Sequence, residues 1–230
     1  MRRVLPAIVF LIVVLAAAAY GILTVWPMTA VNPDPNHAHA DFAVWVDAPG
    51  SSEGSSVLEM IDFSMEKYMS GSSDAEKEGE HPHEHRHPYL HLHDENGRVI
   101  HRHKPGLTIG EFFVSIGAKM TKTTTDAGRT LEADCFAWED LAGQHHSRCS
   151  GEWGRTLRMY VNGKEVAYDP GYVFADGDAI LIAFAMNDVD VQRALGELTH
   201  DACLYSKTCP WRGTPPTEGC IADPTVPCKE

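Results

Sequence analysis

Residues 89–118, YLHLHDENGRVIHRHKPGLTIGEFFVSIGA, constrain the fold more than any other stretch of the chain. Residues 89–93 alternate, Asn96 and Gly97 supply turn chemistry, and residues 99–103 alternate again, which predicts a hairpin. Pro105 and Gly106 end it. Thr108 followed three residues later by Glu111 is a capping box, and it opens a predicted helix over 109–116 with Phe112, Phe113 and Ile116 as its apolar stripe. Strand, turn, strand and helix in that order exclude an all-helical fold. The unit also carries two H-x-H pairs, His91/His93 and His101/His103, one on each side of the turn.

Which way those pairs face depends on register. A strict two-residue Asn-Gly turn sets His93 opposite Ile100 and puts the pairs on opposite faces, because directly paired residues share a face. One extra residue in the loop sets His93 opposite His101 and His91 opposite His103, bringing all four histidines together. The second register is the expected one. It places Leu90 and Leu92 together on the other face, at the cost of adding Arg102 to it.

A third H-x-H pair opens the first alternating segment, HAHADFAVWVD over 37–47. Ala38, Ala40, Phe42, Val44 and Val46 form one face, and His37, His39 and Asp41 lie on the other. Residues 57–61 would return as a short strand, forming an N-terminal hairpin that extends the core. Residues 70–88 lack apolar pattern and carry His81, His83, His85 and His87, predicting an exposed His-rich loop that binds metal loosely or serves as a spacer. Further on, 156–161 and 164–168 flank an Asn162-Gly163 turn, 172–174 is a short extended piece, and the apolar run 179–185 reads as an interior strand. Residues 121–154 are polar with a weak apolar island, and Cys135 and Cys149 bracket it as a disulfide closing a surface loop. His145 and His146 beside Cys149 offer a minor Cys/His alternative.

The organisation expected is an anchor over 1–26, a linker over 27–35, a β-rich domain over 36–186, and a helix with a Cys-rich tail over 187–230. Arg2 and Arg3 precede 23 uncharged residues, 4–26, long enough to span a bilayer. An uncleaved signal-anchor is favoured over a cleaved signal peptide, since the apolar run continues past Ala16–Ala19. The lipid bilayer is then a partner, and the protein sits in the cell membrane as a single-pass chain whose C-terminal domain is extracytoplasmic, open to a membrane or secreted protein partner. Six cysteines fit that compartment as disulfides, with two pairs expected in the tail. A net charge of −13 excludes a nucleic-acid partner, since no basic stripe exists to follow phosphates.

These pieces define an α+β fold with a mixed sheet and one main helix. Residues 89–185 resemble a β-grasp, the ubiquitin-like arrangement in which two hairpins flank a helix and the last strand is central. The blocks HAHADFAVWV, HLHDENGRVIHRHKPGLTIGEFF, YVNGK and DGDAILIAF together resemble an uncharacterised family of membrane-anchored archaeal and bacterial proteins. The disulfide-isomerase label sometimes attached to that family implies a C-x-x-C pair, and this chain has none.

Function is carried by imidazole. An H-x-H pair on a strand puts two rings on one face, and pairs converging from adjacent strands supply several nitrogen ligands to one ion. The expected metal ligands are His37, His39, His91, His93, His101 and His103, with Asp41 as a further ligand or acceptor, and the expected cofactor is a copper or zinc ion. The sequence thus points to an extracytoplasmic, membrane-anchored protein that captures, buffers or delivers metal. A structural or interaction module is the alternative. A metal-dependent enzyme comes third, because no H-E-x-x-H pattern places a base.

Overall fold

The run AILIAFA places β12 (Ala179–Ala185) in the interior, and in a computed structural model of the protein all seven of its residues are buried. The structure describes residues 10–17, 20, 30–34, 36–47, 58–69, 87–92, 95–126, 129–140 and 142–214. β12 runs parallel to β1 (Ala38–Asp47), with Asp41 opposite Ala179 and Trp45 opposite Ala183. Its other edge pairs antiparallel with β10 (Thr156–Val161), which turns at Asn162-Gly163 into β11 (Lys164–Val166). Asn162 and Gly163 have φ of 52° and 75°, the left-handed values that a two-residue hairpin turn requires.

Beyond β1 lie β4 (Val99–Arg102) and then β3 (Leu90–His91), both antiparallel to their neighbours. β2 (Leu58–Met60) also pairs with β1, as the expected N-terminal hairpin requires. The result is a mixed seven-stranded sheet with the order β11-β10-β12-β1-β4-β3 and β2 beside β1.

The helix α1 (Ile109–Ser115) has the expected capping box: the Glu111 N–H donates to Thr108 Oγ1 at 3.2 Å and the Thr108 N–H to Glu111 Oε2 at 2.7 Å. Its Phe112 and Phe113 meet Phe42 of β1 at ring-centroid distances of 5.1 and 6.0 Å, and together they make the main core. On the opposite face α2 (Asp188–Gly196), capped by Asn187, lays Val191 and Ala194 against Ala43, Leu181 and Ala183.

The fold-class expectation needs three corrections. The first concerns the anchor over 1–26 and its uncharged run 4–26: among the described residues no helix is long and apolar enough to cross a membrane. Residues 10–17 are helical, which at about 1.5 Å per residue covers roughly 12 Å of a bilayer core of about 30 Å. The rest of that run, apart from Tyr20, lies outside the described residues. The bilayer partner, the single-pass membrane localisation and the membrane-anchored extracytoplasmic function are corrected with it.

The second correction concerns the N-terminal strand. It is no extension of a core built from 89–185: β1 lies between β12 and β4 and is buried along nearly its whole length. The face that carries its histidines, opposite the apolar stripe, is covered as well. The third concerns 121–154, expected to be a polar loop. It forms β6 (Thr124–Asp126) with β7 (Arg129–Glu132), while β8 (Cys135–Glu139) joins β5 (Lys119–Thr121) and β9 (His145–Cys149) in a small sheet. Phe136 and Trp138, two apart on β8, turn inward to the core. The Cys135–Cys149 disulfide is formed, and it joins directly paired residues of β8 and β9.

Candidate metal centre

Alternation along β1 puts His37, His39 and Asp41 on one face, and alternation after Val99 does the same for His101 and His103. Pairing then sets His39 opposite His101 and His101 opposite His91, making a row of imidazoles across three strands. This register differs from the expected one, because His91 faces His101 and Leu90 faces Arg102. Asn96-Gly97 is not a tight hairpin tip: Asn96 Oδ1 accepts the Arg98 N–H at 3.0 Å, and Gly97 packs against the 63–64 backbone. A Cβ at Gly97 would stand 2.1 Å from the Ser64 nitrogen, so only glycine fits. The longer connection moves the register by two residues, which preserves the face. His93 and Asp94 lie outside the described residues.

Arg102, on the opposite side of β4, is buried with no ion pair in contact among the described residues: it donates to the Phe174 carbonyl at 2.6 Å and stacks over that ring at 4.9 Å. Burial pulls its guanidinium below the usual range, opposed by the charges of Asp176 and Asp178.

Five imidazoles form a closed circuit. Ring centroids are 4.7 Å apart for His91 and His103, 4.0 Å for His103 and His37, and 4.3 Å for His37 and His39. The circuit closes through His39 to His101 at 4.8 Å and His101 to His91 at 6.1 Å. All five residues are at most 6% exposed. Within the circuit, His37, His39 and His101 each present a ring nitrogen within 4.8 Å of the other two. Two nitrogens bound to one tetrahedral zinc ion, each at the usual distance of about 2.0–2.1 Å, stand about 3.4 Å apart. To hold an ion the 4.8 Å spacing must close by about 1.4 Å, through rotation of the rings. His91 and His103 are joined to each other, Nε2 to Nε2 at 3.0 Å, an N–H of one ring donating to the lone pair of the other.

The tautomer of His39 follows from its neighbours. Burial pushes the Asp176 carboxyl up, but the His39 ring 3.7 Å away, the Ser206 hydroxyl and the His39 N–H at 2.9 Å outweigh this and hold it below the ordinary range. Asp176 is thus an acceptor only, and Ser206 donates its one hydroxyl proton to it in a short hydrogen bond. The Ser206 oxygen must then accept from His39 Nδ1, 2.8 Å away. Nδ1 carries a proton, which in the neutral ring leaves the lone pair on Nε2, as in a metal-ligating histidine oriented by an outer hydroxyl and carboxylate. The same three residues do not make a nucleophile triad, since the serine proton faces the carboxylate and not the imidazole.

Asp41 is positioned otherwise than expected. Its Oδ1 accepts from Thr199 Oγ1 at 2.7 Å and from the Asp201 N–H at 2.8 Å, and its Oδ2 from the Ala202 N–H at 3.1 Å. Burial raises its carboxyl above the ordinary range despite those bonds. It holds the start of α3 (Ala202–Tyr205) and is not one of the clustered triad.

The cover of the site was not foreseen. Tyr205 lies against His101 and His39 at centroid distances of 4.7 and 5.6 Å, and its hydroxyl accepts from Asn96 Nδ2 at 3.0 Å. Ser206, Thr199 and Asp176 complete it. No periodicity in 199–214 signals this role, and Asp176 reads in the sequence only as a turn residue.

The remaining metal expectations divide. Cys149 is bonded to Cys135, which corrects a Cys/His site there; His146 bonds Asp140 at 2.8 Å and stacks on Trp138. In the tail, Cys203 pairs with Cys209, and Cys220 and Cys228 lie outside the described residues. His81, His83 and His85 also lie outside them, while the His87 ring accepts the Tyr89 N–H at 3.2 Å. No protein-family model, curated protein or solved structure matches the chain.

Proposed function

We propose that the protein holds one copper or zinc ion on His37, His39 and His101, in a closed centre that fixes the C-terminal tail to the sheet. The observation that carries this reading is the convergence of three buried imidazole nitrogens within 4.8 Å, with Nδ1 of the His39 ring held by Ser206, which in turn donates to Asp176. Imidazole donors with neither thiolate nor carboxylate suit zinc and copper, and affinity order favours copper. Neutral ligands leave the ion its full charge. The carboxylate of Asp176, acting through Ser206, offsets part of it, and coordination at His39 makes the Nδ1–H a stronger donor to Ser206.

Burial decides the kind of metal role. A site sealed by Tyr205 and Ser206 retains its ion, and free energy of binding becomes free energy of folding. The His91–His103 hydrogen bond favours a second reading, in which the imidazoles are only a polar core. Zinc titration of the chain separates the two. The expected result is one tight ion per chain, weakened at least about 100-fold by His39→Ala or His101→Ala. Replacement of His81, His83, His85 and His87 by Ala should leave that site intact. Tight binding that survives both single substitutions, or that resides in the 81–87 tract, overturns the proposal.

A further inference from the structure

The segment 199–212 reaches the metal centre with little apolar surface of its own. Among the described residues its apolar anchorage on the sheet is a small cluster, Ala202 and Tyr205 against Val99. Its polar attachments include Asp41 to Thr199, Asp201 and Ala202, Asn96 to Tyr205, and His39 and Asp176 to Ser206. Ser206 sits at the end of α3, inside the loop closed by the Cys203–Cys209 disulfide, with a sequence separation of only 6. The Thr208 N–H returns to the Cys203 carbonyl at 2.9 Å, and Lys207 takes a left-handed φ of 58°. A lysine in that conformation is held by its surroundings, and the cross-link is the covalent part of them.

We infer that the Cys203–Cys209 disulfide gates the metal centre, with Ser206 as the positioning residue that the closed loop presents to His39. This inference rests on the metal reading above and adds its regulation. Cys209 is 2% exposed and Cys203 is half-buried, so a dithiol reductant attacks at Cys203 Sγ. The S–S bond breaks, Cys209 leaves as a thiolate and takes a proton, and a mixed disulfide forms at Cys203. The second thiol of the reductant displaces Cys203, so two electrons and two protons pass to the protein and the dithiol becomes its cyclic disulfide. Released from the loop, Ser206 no longer fixes the His39 tautomer, and affinity for the ion falls. Linkage is reciprocal: the ion must make this disulfide harder to reduce by the same factor.

Zinc titration of the full oxidised chain, beside Cys203→Ser/Cys209→Ser and Ser206→Ala, tests the inference. Serine replaces the cysteines so that no new thiol ligates zinc. The expected result is a loss of affinity of about 10- to 100-fold in both variants, the range for outer-shell partners, with unchanged far-ultraviolet circular dichroism. Ser206→Thr should recover most of it. In the wild type, alkylation of Cys203 and Cys209 across a dithiothreitol series should report a midpoint potential lowered by zinc, by about 30 mV for a tenfold coupling. Wild-type binding with undiminished affinity in the disulfide variant, and a zinc-independent midpoint, overturns the gate and leaves the metal reading standing. Absence of zinc binding by the oxidised wild type overturns both.

Discussion

Two faces of one strand meet opposite solutions to burial. On β1, Ala40, Phe42 and Val44 lie in an apolar core closed by Phe112 and Phe113 of α1, whereas His39 and Asp41 lie beneath a polar tail, with His37 just before the strand. Both faces are dry. The first is dry because burying hydrocarbon is favourable in itself, at about 25 cal/mol per Å². The second takes imidazole and carboxylate from water, which is unfavourable unless each finds a specific partner. The apolar face is therefore tolerant of what covers it, and the polar face depends on particular atoms: Ser206 Oγ, the Thr199 hydroxyl and two backbone N–H groups.

That difference can be broken from either side. The largest effect is expected in the apolar face: Phe112→Ala should cost about 3–5 kcal/mol in chemical denaturation, with zinc stoichiometry per folded molecule unchanged. Lost stoichiometry in the folded fraction would show that the two faces are not independent. On the polar face, Asp41→Ala removes the acceptor of three donors and should cost about 1–3 kcal/mol. It should be read locally, as faster amide exchange over 199–209 with β10 and β12 still protected. Global loss of protection would make the tail part of the core. Smallest is Thr108→Ala, which removes the α1 cap and should cost about 1 kcal/mol without altering the tail.

The same contrast explains what the sequence made legible. The α1 capping box, the Asn162-Gly163 turn and the Cys135–Cys149 pair are local signals or near-neighbour pairings, and each is found where the residues place it. So is the sharing of a face by His37 with His39 and by His101 with His103, because strand alternation is a local rule. Register was not legible: it turned on Gly97 packing beneath Ser64, a contact with another segment. The central position of β1 was hidden for a related reason. An alternating polar face reads as wet until something is known to cover it, and the cover is nearly 170 residues away, as the separation of His39 and Ser206 by 167 shows. The anchor expectation rested on the uncharged run 4–26 behind Arg2 and Arg3, and no described helix has the length to span.

The central claim is that the polar face of β1 and β4 is a metal centre. Its most direct test is a crystal structure of the zinc-loaded protein with anomalous scattering recorded at the zinc edge. The expected result is one peak about 2.0–2.1 Å from a ring nitrogen of each of His37, His39 and His101, with His39 Nδ1 still on Ser206. A fully loaded crystal with no peak there, or with zinc only elsewhere on the chain, would contradict the account.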